Sequence, residues 1–322
     1  MTTQQSATKP RPTDWPRDET FDVRDKYYVP STYFNLKAMS PLNLREDNEY
    51  KRHFLPVYDQ SPAKTSLDEE CWGTCVANAA AAAFAYEWNR QGLQPSLHPS
   101  RLFLYFNARK LEFEISKEPS SKPKSKHPKD QGVYIRLACK ALEKMGVCPE
   151  GPGQQEWGYD DVHFAVEPTV EVLKAALENR SVQYARLDPD HPEGFPEKEL
   201  TTEEKGIIGA MTLLRLRQCL GEGYPVIFGF SYYWKNPPFR RDEKSGGIWD
   251  IGPLPGGKGP EKNHGGRAVL AVGFDDGNQR VLCQNSWGGR QGCGWEGGGG
   301  VRRSSGWATN GSRTFKRRAT FG

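Results

Sequence analysis

Along the first half of the chain, apolar residues recur at the spacing of amphipathic helices; along the second they gather in short, nearly unbroken runs. Residues 73–88 read GTCVANAAAAAFAYEW, a small-residue turn followed by an alanine-rich segment of high helix propensity. PSRLFLYFNARKLEF (99–113) has helical spacing, with Ser100 placed to cap it. Helical periodicity returns over 133–147 and stops at Gly146, with further short helices predicted over 170–177 and 213–220. YPVIFGFSYYW (224–234), AVLAVGFDD (268–276) and RVLCQNSW (280–287) read as buried strands. The last two are joined at Asp276-Gly277-Asn278, a hairpin signal. Polar stretches separate these elements at 61–70, 116–132, 188–206 and 236–263, all predicted to be loops.

Helices followed by strands predict an α+β fold of two segregated halves, with a site in the cleft between them. The chain has 322 residues, 36% of them apolar, and a mean hydropathy of −0.75, so polar loops dilute its core. No apolar run reaches the length of a membrane span, and MTTQQSATKPRPTDWPRDET has no signal-peptide core, so the expected location is the cytoplasm. The seven cysteines lack framework spacing, Cys71 and Cys75 are not a CxxC pair, and neither disulfides, a metal nor any other cofactor is expected. Charge is uneven. Residues 289–322 hold seven Lys/Arg against Glu296 alone, a net of +6 that turns the chain's +4 into −2 for residues 1–288. The body therefore carries no nucleic-acid footprint, and no membrane partner is implied.

Chemistry points to Cys75. At the start of a helix, unpaired N–H groups and the macrodipole favour a thiolate, which is the nucleophilic form. Alone, such a cysteine is more often a packed structural residue. It has company: LPVYDQ, GTCVANA, PSRLF, GVYIR, GVCPE, CLGEGYPVIFGF, AVLAVGFDD and NSWG occur in that order over roughly residues 45–288. Together they resemble the papain-like cysteine peptidases, in the compact form without a long pro-region.

The resemblance implies a helical N-terminal half, an antiparallel β-barrel-like C-terminal half, and a peptide or protein as substrate. It implies Cys75 as nucleophile, Gln60 in the oxyanion hole, Asn285 as the amide that orients an imidazole, and Trp287 as the indole shielding that bond. A neutral amide holds an imidazolium without titrating, and an apolar lid keeps water from competing. Composition predicts a disordered polar arm (1–20), an extended strap (21–45) and a Gly/Arg-rich tail (289–322) around the peptidase domain (46–288) that the resemblance implies.

Three departures stand out. Gln60 and Cys75 are fifteen positions apart, so SPAKTSLDEECW must loop out, which costs little entropy. Where the family carries histidine, directly before the AVLAVG strand, this chain has Arg267, and a guanidinium cannot serve as a general base. His264, three residues earlier, reaches that position only through a bulge or turn at Gly265-Gly266. Finally, ten of the 34 glycines fall in residues 289–322, a composition ill suited to closing a barrel. Two readings follow: a peptidase with His264 as the substitute base, or a catalytically impaired scaffold that binds peptides without cutting them.

Overall fold

In the computed structural model of the protein, which describes residues 26–30, 41–54, 72–115, 130, 132–181, 183–188, 201–232, 239–242, 248–251, 265–277, 280–284, 286, 299–302 and 319–321, the alanine-rich stretch forms α1 (Cys75–Arg90). Cys75–Ala81 and Ala83–Glu87 are all buried. A helix covered on every side needs small residues where neighbours come close, and alanine supplies them without disfavouring the helix. Around it pack α2 (Arg101–Ile115) and α3 (Ile135–Lys144). Ser100 caps α2 as predicted, its Oγ accepting from Phe103 N–H at 3.2 Å. Gly146, beyond the end of α3, has φ +72°, and a Cβ there would lie 1.9 Å from the Ala176 carbonyl oxygen. Glycine is required on both counts. α4 (Asp161–Ala165) and α5 (Val170–Glu178) follow, capped by Asp160 and Thr169.

The described strands form one sheet: β1 (Leu42–Asn43), β2 (Tyr184–Arg186), β3 (Val226–Tyr232), β4 (Phe239–Asp242), β5 (Ile248–Ile251), β6 (Gly265–Asp275), β7 (Arg280–Gln284), β8 (Gly299–Arg302) and β9 (Ala319–Phe321). Their order is β2-β9-β3-β6-β7-β8-β5-β4, with β1 pairing the far end of β6. β6 and β7 form the expected antiparallel hairpin, Asp275 opposite Arg280. At the centre of the sheet, β6 is covered on both faces, which explains its unbroken apolar run. Ala268, Leu270 and Val272 join the core built on α1 to α3. Val269 and Ala271 join a second core with Leu216, Cys219 and Leu220 from α6 (Thr202–Gly221).

The fold is α+β, but the expected barrel is not closed. β2 and β4, three and four residues long, stand at opposite ends of the order and do not pair with each other. Closure would require those edges to meet. Nor is the sheet wholly antiparallel, since β5 and β8 run parallel. Part of the predicted loop 188–206 is helical: α6 begins at Thr202, started by a capping box between Thr201 and Glu204. β4 and β5 lie within the stretch 236–263 that reads as loop, and β8 and β9 come from beyond residue 288. The segment read as a surface strap is stitched in at two points. Lys26–Tyr28 exchanges backbone hydrogen bonds with Arg186, and Leu44 is fully buried in the second core.

Candidate active site

A turn, Trp72-Gly73-Thr74, delivers the chain into α1, and two hydrogen-bond networks hold it. Asp130 Oδ1 accepts from Gly73 N–H at 3.0 Å and from the Tyr105 hydroxyl at 2.5 Å, while Gly132 N–H donates to the Tyr105 oxygen at 3.2 Å. Burial first, and then the Asp130 carboxylate, raise the Tyr105 phenol far above its ordinary value, so it remains a donor. A Cβ on Gly73 would sit 2.7 Å from Gly132 N, a backbone atom that cannot give way cheaply. Glycine is therefore what lets residue 132 lie against this turn.

The second network centres on Thr74. Thr74, 3% exposed, occupies the cap position of α1, yet its side chain makes no cap hydrogen bond. Its hydroxyl lies 2.8 Å from Tyr159 Oη and accepts from Asn78 Nδ2 at 3.1 Å, while Asn78 Nδ2 also donates to the Thr74 carbonyl at 3.0 Å. Asn78 Oδ1 accepts from Arg101 Nη1 at 3.2 Å. Arg101 grips Glu150 with two further bonds, Nε to Oε2 at 2.8 Å and Nη2 to Oε1 at 2.6 Å. Trp72 stacks on Phe164 with centroids 4.5 Å apart, adding an aromatic wall.

Cys75 is the first residue of α1 and 7% exposed. Its sulfur accepts from Ala268 N–H at 3.4 Å. That contact joins the helical layer to the central strand, so the thiol lies at their junction. Arg267 immediately precedes the donor, and its backbone pairs with Phe230. The β3–β6 register runs from Gly265 to Ala271 without a shift; the irregularity in β6 falls instead between Ala271 and Gly273, against β7. β7 ends at Gln284, opposite Leu270. Gln60, His264, Asn285 and Trp287 lie outside the described residues, as does the Arg267 side chain.

The five described cysteines are buried and none is in a disulfide. Burial pushes the Cys148 thiol up to about 12, a packed and unreactive group. Among the described residues no group of three His, Cys, Asp or Glu converges where a metal could be held, and no helix is long and apolar enough to cross a membrane. Asn78, Arg101, Asp130 and Glu150 are the residues a pattern reading passes over. Three of them sit inside the motifs CVANA, PSRLF and GVCPE, and the signal available was a charge or amide embedded in an otherwise apolar motif.

Over 99% of its length, the chain superposes on 98% of xylellain, a cysteine protease from Xylella fastidiosa, with a TM-score of 0.58 and 25% sequence identity. A protein of Acanthamoeba polyphaga mimivirus described as an uncharacterized peptidase C1-like protein is 32% identical over 230 residues, which make up 71% of this chain. The chain is similar to the papain-like cysteine peptidases in sequence and in fold. It spans 62% of the viral relative's length. The papain-like fold is also shared with digestive procathepsin L 3 of Tenebrio molitor larval midgut, at a TM-score of 0.50 and 14% identity, over 92% of this chain and 73% of that one. No family model matches the chain. Within the papain-like frame, the turn before α1 and the start of the AVLAVG strand are the two segments that meet at the Cys75 sulfur.

Proposed function

We propose that this papain-like protein is a cysteine-type peptidase acting on peptide or protein substrates. The Cys75 thiolate attacks the carbonyl carbon of a peptide bond, the C–N bond breaks as the amine leaves with a proton, and water then cleaves the thioester to release the acyl group. One observation carries this reading: the Cys75 sulfur stands at the first turn of a buried helix, against a backbone N–H of the central strand at 3.4 Å. The family resemblance adds the Gln60 amide as an oxyanion donor and Asn285 as the orienting amide, shielded by Trp287. The proton inventory needs one more group. A base must accept the thiol proton and return it to the departing amine; in this reading that base is His264, which needs a turn ahead of Gly265, because the β3–β6 register leaves no bulge at Gly265-Gly266.

A second reading has its own support. Arg267 directly precedes Ala268, the residue that donates to the sulfur. A permanent cation at that place in the chain can hold a thiolate but cannot shuttle a proton. The protein would then bind peptides and form adducts without turning substrate over.

Two measurements test these readings. A peptidyl vinyl sulfone is expected to label wild-type protein and leave Cys75→Ala unlabelled; labelling that persists in the variant removes Cys75 as the nucleophile. Hydrolysis of a fluorogenic peptide library then separates the alternatives. With His264 as base, wild type turns over and His264→Ala loses about 10²-fold or more. With an impaired site, wild type is silent and Arg267→His gains turnover.

A further inference from the structure

We propose that Arg101, buried and paired with Glu150, acts through Asn78 and Thr74 as a positioning device for the Cys75 sulfur, a role that rests on Cys75 being the nucleophile. Arg101 opens α2 and is 3% exposed. Its guanidinium lies 3.9 Å above the Tyr159 ring while gripping both oxygens of Glu150. A guanidinium only donates, so the Asn78 oxygen must face it, and the Asn78 NH2 must then face the opposite way. There it meets both the carbonyl and the hydroxyl of Thr74, at 3.0 and 3.1 Å. The same hydroxyl lies 2.8 Å from Tyr159 Oη, on the ring beneath the guanidinium. Thr74 is thus fixed by its side chain and its carbonyl together, and the next residue is Cys75.

The direction of this chain matters. Glu150 fixes Arg101, Arg101 fixes which way the Asn78 amide points, and that amide fixes the residue on which the thiol's backbone hangs. An ion pair held partly out of water is a weak stabiliser, and fixing one arrangement among several is a better-attested use. Lysine cannot substitute, because a single ammonium lacks the planar fork that holds Glu150 and reaches Asn78 at once.

The test compares two reagents on Cys75 in the full chain. Iodoacetamide is small and reports thiolate fraction and access. A peptidyl vinyl sulfone reacts only when the site holds it with the sulfur in line. Rates are measured from pH 5 to 9 for wild type, Arg101→Lys and Asn78→Ala. Alanine is the better helix former, so Asn78→Ala keeps the test alive if Arg101→Lys does not fold. In a folded variant the vinyl sulfone rate is expected to fall about tenfold or more, with the iodoacetamide profile unchanged within about twofold. A merely structural role would move both rates together, so parallel changes, or no change in either, overturn the proposal. If wild-type Cys75 reacts with neither reagent faster than cysteines of the denatured chain, the nucleophile reading fails, and this role falls with it. Wild-type reactivity without the split between reagents sinks the positioning role alone.

Discussion

Thr74 and Thr201 both stand at the cap position of a helix, α1 and α6, and they use their hydroxyls differently. Thr201 accepts from Glu204 N–H at 3.2 Å, and the Glu204 carboxylate answers by accepting from Thr201 N–H at 2.7 Å. This reciprocal arrangement satisfies the helix start locally. Thr74 caps no backbone N–H of its helix; its hydroxyl bonds side chains instead, those of Tyr159 and Asn78. Buried charge differs too. α1 encloses Glu87, 5% exposed, whereas Glu204 of α6 is exposed. α6 is built for stability by local rules, and α1 gives up one of those rules in the turn that carries Cys75. A broken local rule is a common mark of a functional position.

The contrast can be probed in order of expected effect. Burial, outweighing Arg90, pushes the Glu87 carboxyl from its ordinary 4.5 up to about 7. Between those values the folded chain holds a proton that the unfolded chain lacks, so this contribution is complete below 4.5 and is lost as the pH rises to about 7. Urea unfolding at pH 4.5 and pH 8 should show wild type losing up to about 3 kcal/mol more than Glu87→Gln, which has no proton to give up. A flat difference between the two pH values would mean that Glu87 is solvated.

Gly73→Ala comes next. Its methyl group would press on the backbone of Gly132, and the expected loss is about 2 kcal/mol, read as a lower urea midpoint, together with slower probe labelling of Cys75. Thr74→Val keeps the shape and removes the hydroxyl shared with Asn78 and Tyr159. It should cost about 1.5 kcal/mol and alter probe labelling. Thr201→Ala is the smallest change, about 1 kcal/mol lost from the cap, with the labelling rate at Cys75 untouched. Equal effects of the two threonine changes on labelling would erase the distinction between α1 and α6.

Much of this was legible in the chain itself, where local rules operate. The start of α1 at Cys75, the Ser100 cap, the stop at Gly146 and the 276–277 turn all rest on residues close in sequence. The start of α6 was equally local, yet TTEE reads as a continuation of the acidic, proline-rich stretch before it, and the capping box is hidden there. β4 and β5 are four residues each, too short for a period to register. The open sheet was out of reach, because pairings such as Tyr184 with Phe321 are decided by tertiary context. At the site, sequence names Cys75 through its helix and its motif company. The route from Glu150 through Arg101 to Asn78 is different in kind: three motifs, each readable alone, meet only in space.

The bond from Ala268 to the Cys75 sulfur spans 193 positions of sequence. α1 can form early, since helices need only local contacts, whereas β6 must close a long loop before it docks. During folding there is accordingly an interval in which the thiol exists on a helix without its strand. In that interval it is open to oxidation and to disulfide formation with other chains. Refolding yield should therefore depend on reductant most strongly in the time before β6 arrives, and Cys75→Ser should lessen that dependence by the share that one of seven cysteines carries.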